Sequence, residues 1–370
     1  MATSTSHRRL LHVFPSFALG GSQARLVKLI DAFGDRYRHR IVSINGDESA
    51  RSVIGRSDLV DFIACPKADG ALGRLKAYRR LIRESDADLL LTYNWGAIEF
   101  AMADVPRMVR HVQVEDGFGP EETQQRLWRR SMTRRATLMA NGSTMVLPSR
   151  TLQQIALSEW RLNPERVKYI PNGIDPDRHR DVAGRDRPSC HARSAQEVVI
   201  GTLAGLRPEK TLEVMIDAVA ALRDQWPVRL VIAGAGPLEA ALRQYCEQGG
   251  HDAFVSLLGF RSEPDEVTFE LDIFCLSSLT EQLPISMIEA MFAGLPIAAT
   301  DVGDIRQSLP EAQHPYLARH SAVDLARVLQ PLVASASLRR ELGQANRACA
   351  RQRFSLEPML RGWAEVFDQR

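Results

Sequence analysis

At 370 residues the chain is longer than a single compact core usually accommodates, so two domains of roughly 150–200 residues are expected. With 45% hydrophobic and 25% charged residues, no low-complexity tract and no solenoid-period repeat, the composition excludes a disordered or repetitive chain. The net charge is only +2, but residues 1–185 hold 29 Lys+Arg against 21 Asp+Glu and the remainder 18 against 24, so the first half is the one suited to an anionic surface.

The chain begins polar, and the first apolar run, 10–14, is too short for a signal-peptide core or a membrane span, so a cytoplasmic protein is expected. Short apolar runs then alternate with amphipathic helical stretches, the pattern of parallel sheets built from βαβ units. In the first half strands are expected at 10–14, 40–44, 60–63, 88–92, 108–114, 137–140 and 145–148. Two intervening helices are rich in arginine. One carries Arg74, Lys76, Arg79, Arg80 and Arg83, the other Arg126, Arg129, Arg130, Arg134 and Arg135 together with Leu127, Trp128 and Met132. The second suits peripheral contact with an anionic membrane, although a solvated arginine-rich face is the simpler reading. A polar, proline-containing stretch at 176–196 reads as a linker. A second series of strands follows at 198–203, 229–233, 255–258, 273–276 and 296–300, and the last segments, 337–353 and 356–367, read as amphipathic helices. The expected architecture is α/β, two doubly wound domains at 1–175 and 197–350, with a helix over 351–370 that crosses back to the first. Ligands are expected where loops leave the carboxyl ends of the strands. The five cysteines, Cys65, Cys190, Cys246, Cys275 and Cys349, have no metal-ligand spacing and read as small buried hydrophobes.

Gly20 and Gly21 separate the first strand from a helix. They suit either a tight turn or the approach of a ligand anion to the helix N-terminus. After the strand at 198–203 comes Gly205-Leu206-Arg207-Pro208-Glu209-Lys210, which places a guanidinium and an ammonium three residues apart. That pair suits a diphosphate, since Arg forks two oxygens and Lys adds a point charge, although an exposed solvated turn reads the same way. Gly234-Ala235-Gly236-Pro237 permits close approach of a flat ring or of a packed helix. The most informative run is 278–296: Glu281 lies in a loop after a strand, and Glu289 is eight positions on in a helix starting near Pro284. Glu289 is flanked by Ile288, Ala290 and Met291. A buried carboxylate in that setting either accepts ligand hydroxyls or joins a buried salt bridge.

Taken in order, Gly20-Gly21, Ile170-Pro171-Asn172-Gly173-Ile174-Asp175, 205–210, 234–237, the pair Glu281/Glu289, the run to Pro296 and Ala299-Thr300-Asp301-Val302-Gly303 resemble the retaining family 4 glycosyltransferases of the GT-B fold. The resemblance is sharpest over 170–305. It implies two Rossmann-like domains facing a central cleft, a UDP- or GDP-sugar donor in the second, and a glycan or lipid-linked acceptor in the first. Neither a metal nor a cofactor is implied, and no nucleic acid. Arg207 and Lys210 would neutralise the diphosphate and the departing nucleotide. Glu289 would accept from the ribose and Glu281 from the donor sugar. Amides near Leu283 and Ile285 would hold phosphate or sugar, with Pro284 between them also at the donor, Gly236 and Phe260 would lie by the base, and Gly20 and Gly21 would approach the phosphates or the acceptor. Retention would follow from same-face attack with a leaving phosphate oxygen as base, water being excluded as the cleft closes.

Three departures from the family pattern bear on the site. Gln282 follows Glu281 where many relatives have glycine, Gly303-Asp304-Ile305-Arg306-Gln307 stands for Gly-Gly-x-x-Glu, and Glu115-Asp116-Gly117 occupies the place of a histidine. Asp116 is then the candidate at that catalytic position, and His111, inside the strand, reads as a packed histidine. Tyr93, Asn94 and Trp95 suit an acceptor platform or a core. Two rivals share the fold: a sugar-nucleotide epimerase, and an inactive nucleotide-sugar-binding subunit, which the missing histidine favours. By analogy the pathway expected is bacterial polysaccharide or glycolipid synthesis, at the inner face of a membrane.

Overall fold

A computed structural model describes residues 7–118, 122, 127–177, 197–261 and 263–369. The expected linker at 176–196 lies almost wholly outside them, as do Arg126 and Cys190. The chain divides into two units, residues 1–171 with 360–370, and residues 172–359.

Among the described residues the first unit has seven strands, β1 (Arg8–Phe14), β2 (Tyr37–Ser43), β3 (Val60–Phe62), β4 (Leu89–Tyr93), β5 (Arg110–Val114), β6 (Thr144–Leu147) and β7 (Val167–Tyr169). All pair in parallel in the order β3-β2-β1-β4-β5-β6-β7, so the order reverses between β1 and β4. Its helices are α1 (Gly21–Phe33), α2 (Gly70–Glu84), α3 (Ile98–Ala103), α4 (Trp128–Ala140) and α5 (Arg150–Ser158). Strand alternation sends Leu11 and Val13 into one apolar cluster with Leu90, Tyr78 and Phe100, while His12 points to the other face.

The strand expected at 137–140 is instead the last turn of α4. Arg134, Thr137 and Leu138 fall on one buried helical face, and Leu138 packs into a cluster with Met145, Leu147 and Trp160. The run Thr-Leu-Met-Ala satisfies either period over four residues, and packing at the 3.6-residue spacing decides it. Strand β7, unforeseen, is three residues at the sheet edge.

The second unit contains β8 (Val198–Leu203), β9 (Val228–Ala233), β10 (Val255–Gly259), β11 (Ile273–Leu276), β12 (Ile297–Thr300) and the two-residue β13 (Leu317–Ala318), also unforeseen. They are parallel in the order β10-β9-β8-β11-β12-β13, which reverses between β8 and β11. The helices are α6 (Leu212–Ala220), α7 (Glu239–Gly249), α8 (Pro264–Glu270), α9 (Ile285–Phe292), α10 (Ile305–Ser308), α11 (Ala322–Ala334) and α12 (Ala336–Arg353). Val198, Ile200, Leu230 and Ile232 enter one core, and Val199 and Val231 the core on the opposite face, as expected of strands covered on both sides. Each fully buried aliphatic side chain contributes about 1.5–3 kcal/mol.

The final helix, α13 (Leu356–Asp368), completes the first unit with its residues from 360 onward. Trp363, Val366 and Phe367 are buried, and Phe367 meets Tyr37 edge-on at 5.2 Å. Arg110 Nη1 donates to the carbonyls of Val366 (2.7 Å) and Gln369 (3.0 Å), and Arg8 donates to Gln369 O at 2.9 Å. These guanidinium groups satisfy the carbonyls that a helix C-terminus leaves unpaired.

Candidate active site

In the second unit the candidate residues gather where β8 and β11 separate, the position at which doubly wound sheets bind ligands. Lys210, in the loop after β8, donates from Nζ to Glu281 Oε1 in the loop after β11, and Ser278 Oγ donates to the same oxygen at 2.7 Å. Three hydrogen bonds fasten the two loops, one between backbones, Leu279 N to Glu209 O (2.8 Å), and two from hydroxyls to carbonyls, Ser277 Oγ to Lys210 O (2.8 Å) and Thr211 Oγ1 to Ser277 O (2.5 Å). Thr211 takes φ +41, and its one hydroxyl proton is used on Ser277 O, so the contact with His320 Nε2 at 2.9 Å makes that nitrogen the donor. Lys210 and Glu281 are mostly buried, at 21% and 9% side-chain exposure, whereas Arg207 is exposed and pairs with no carboxylate among the described residues.

Glu289 is buried on α9, as its apolar neighbours imply, with 8% exposure. Pro284 stands at the cap position of α9 and makes no side-chain capping hydrogen bond to the amides of its first turn. The loop before it is fixed by Asn172 Nδ2, which donates to Leu283 O at 3.0 Å. Gly303 takes φ +57, and a Cβ there would overlap the Glu281 carbonyl oxygen. Asp304 N donates to Gln282 O at 3.0 Å, so the loop after β12 rests directly on the acid. Gly234 and Gly236 owe their missing side chains to backbone contact: Cβ atoms at these positions would strike the carbonyls of Ala204 and Leu206. Phe260 follows β10 and is 49% exposed.

In the first unit the candidates stand at the ends of β1, β4 and β5. Gly20 is extended and caps α1 without a side-chain hydrogen bond; a Cβ there would meet only the flexible end of Gln23, so the glycine leaves the helix N-terminus open. Asp116 forms a two-pronged ion pair with Arg25 of α1, Nη1 to Oδ1 at 2.5 Å and Nη2 to Oδ2 at 2.8 Å, and its amide donates to Asn94 Oδ1 at 2.8 Å. Asn94 takes φ +55 and Trp95 is half-buried, while Tyr93 is core, stacked on Phe14 at 3.7 Å. His111 is buried between Thr92 and Ser143, both at 2.7 Å, and burial pushes its pKa down to about 3. Thr92 Oγ1 donates to Gln113 Oε1 (2.6 Å), so His111 Nε2 must donate to Thr92 and Nδ1 accept from Ser143. This histidine is a packing residue.

Two features escaped the sequence. Arg25 is 2% exposed on the same helical face as Leu26, Leu29 and Ile30, and a charge on a buried apolar face is the signal that it has a partner. Arg134, 1% exposed, lies between the rings of Trp95 (5.0 Å) and Trp160 (4.6 Å) and faces the buried carboxylates of Glu115 and Glu122. Burial pushes the Glu115 carboxyl up to about 7, against the pull of Arg134. On the opposite side of α4, Trp128, Met132 and Met139 are exposed in one stripe with Arg135, and Leu127 precedes them.

Comparison with known proteins bears on this arrangement. Residues 197–335 match the family described as glycosyl transferases group 1, and residues 19–178 match glycosyltransferase family 4. Among curated relatives, the protein named as glycosyltransferase EpsF of Bacillus subtilis is 25% identical over 316 residues, 80% of either chain. The gpi3 component of phosphatidylinositol N-acetylglucosaminyltransferase from Schizosaccharomyces pombe is 28% identical over 198 residues, 53% of this chain and 42% of its own. The crystal structure of HepE from Anabaena in complex with UDP and glucose superposes with a TM-score of 0.81 at 19% identity, covering 98% of this chain and 100% of HepE. Two parallel doubly wound sheets, the two family matches taking in most of the sequence, and that superposition agree: the chain belongs to the group 1, family 4 glycosyltransferases and has the GT-B fold.

Proposed function

We propose that this glycosyltransferase is a retaining, metal-independent enzyme that takes a UDP- or GDP-sugar in its second unit and transfers the sugar to a hydroxyl of a glycan or lipid-linked acceptor in polysaccharide or glycolipid synthesis. The observation that carries the proposal is the Lys210–Glu281 pair at the reversal of the second sheet, with exposed Arg207 beside it. An ammonium has three donors. Glu281 engages one, and the others are left for phosphate oxygens, with Arg207 able to fork two more. The uncapped first turn of α9 adds amides suited to an anion. Glu281 Oε1 is occupied by Lys210 and Ser278, which leaves Oε2 to accept from a sugar hydroxyl. As the C1–O bond to the diphosphate breaks, these cations stabilise the charge gathering on the leaving group, which in turn takes the proton of the attacking hydroxyl. HepE was crystallised with UDP and glucose, which supports a uridine donor, and the Schizosaccharomyces pombe relative is named for phosphatidylinositol, which supports a lipid-linked acceptor.

A thermal-shift panel of UDP, GDP, ADP and their sugar conjugates, with and without EDTA, tests the proposal. One nucleotide family is expected to raise the melting temperature regardless of EDTA, by the equivalent of about 2.7 kcal/mol at a hundred times Kd. Lys210→Ala is expected to abolish both that shift and diphosphate release. No shift with any nucleotide would overturn the donor assignment, a shift removed by EDTA would overturn metal independence, and binding without turnover would favour an inactive binding protein.

A further inference from the structure

Around Arg134 the first unit buries three ionisable side chains, Arg134, Glu115 and Glu122, with a partly exposed fourth, Arg130, beside them, where apolar residues would stabilise it at least as well. The guanidinium lies between two indole faces. Its Nε stands 3.2 Å from Glu115 Oε2, its Nη2 3.4 Å from Glu115 Oε1 and 3.7 Å from Glu122 Oε2. Arg130 approaches Glu122 at 3.4 Å and also lies over Trp95, at 5.3 Å. Two of the groups so held are chain neighbours of candidate site residues: Glu115 precedes Asp116 and Trp95 follows Asn94. Those two site residues are joined to each other by the Asp116 N to Asn94 Oδ1 hydrogen bond. The carboxylate of Asp116 is gripped by buried Arg25 on α1, and its peptide is thus bracketed from the other side by buried Arg134 on α4.

We propose that Arg134 is a positioning residue for sugar transfer, fixing Asp116 and Asn94 through Glu115 and Trp95. This rests on the glycosyltransferase reading above. A lysine at 134 keeps the charge but loses both the fork and the flat surface that the two tryptophans stack on.

The test uses the full chain, with UDP or GDP as the binding probe and, as the turnover probe, release of UDP from UDP-glucose or of GDP from GDP-mannose, water taking the sugar where no acceptor is supplied. In Arg134→Lys, kcat is expected to fall about 10- to 100-fold, the cost of a small misplacement of a reacting group. Nucleotide Kd is expected to stay within twofold of wild type. Wild-type kcat in Arg134→Lys overturns the proposal, as does a loss of nucleotide affinity that matches the loss of turnover, since that marks a general structural role. Should Arg134→Lys fail to fold, Glu115→Gln, which keeps the side-chain shape, is judged by the same two numbers. A wild-type chain that neither binds nucleotide nor releases diphosphate defeats the parent reading as well, and is thereby distinguished from failure of the positioning role alone.

Discussion

His12, His39 and His111 are buried in the first unit and held neutral, chiefly by desolvation, with His39 adding to the effect on His12 and Arg38 to that on His39. The pKa of His39 falls to about 4 and that of His111 to about 3. An unfolded histidine titrates near 6.5, so between about pH 4 and 6.5 the unfolded chain binds more protons, and stability falls as pH falls, by roughly 1.4 kcal/mol per pH unit for each fully differing group. Glu115 acts in the opposite sense. Its carboxyl, raised to about 7, binds a proton that the unfolded chain has already released above its usual 4.5, and stability falls as pH rises through that window. Asp104 and Glu270, also raised by burial, act on the side of Glu115, but the three histidines are depressed across the whole window, so the denaturation midpoint is expected to rise from pH 4.5 to pH 6.5. Urea titrations at the two values should show a shallower rise in His111→Gln, and an unchanged rise would show that His111 is not the neutral packed group described. At this scale the sequence yielded the groups but not their pairings. His111 was legible as packing because it sits inside a strand, and Glu289 as buried because its neighbours are apolar. Arg25 was not legible, and Arg134, expected with its neighbouring arginines on a solvated or membrane-facing surface, is instead buried, because the partners of both come from other strands and loops.

Among the elements, β1, β4, β8 and β11 were legible because buried parallel strands are short, mostly apolar runs bounded by polar or turn residues. Edge strands β7 and β13 were not, having three and two residues and too little sequence to show a period. The last turn of α4 was misread for a related reason, four residues being ambiguous between periods. The whole helix settles the matter and exposes a stripe of Trp128, Met132 and Met139 interrupted by Arg135, with Trp128 70% exposed and Leu127 just ahead of it. No described helix is long and apolar enough to cross a membrane. An amphipathic surface of this kind is suited to shallow insertion among anionic headgroups, which we propose for α4. Cosedimentation with vesicles containing phosphatidylserine is expected to exceed that with neutral vesicles, to weaken with salt and to drop in Trp128→Ala/Met132→Ala. Equal binding of that variant would leave α4 as a merely solvated face.

For the whole molecule, two parallel doubly wound sheets were legible from alternation alone, whereas the strand order within each was not. The glycines at 234, 236 and 303 were legible as positions needing no side chain, but the reason lay in contacts between loops that are distant in sequence. The first unit is also discontinuous: its core includes Trp363, Val366 and Phe367, from beyond the whole of the second unit. During synthesis, then, residues 1–171 must wait on the ribosome with an unfilled groove beside Tyr37 and His12 until nearly two hundred more residues have emerged. The missing side chains contribute about 1.5–3 kcal/mol each, against a total stability of about 5–15 kcal/mol for a domain. A fragment of residues 1–171 is therefore expected to aggregate or to show exchange-broadened amide spectra, and a peptide of residues 356–369 added in trans to sharpen them. A fragment that is already well ordered would mean that the last helix is an accessory. If it is required, the helix acts as a proofreading step on translation, because a chain truncated anywhere before it never acquires a finished first unit.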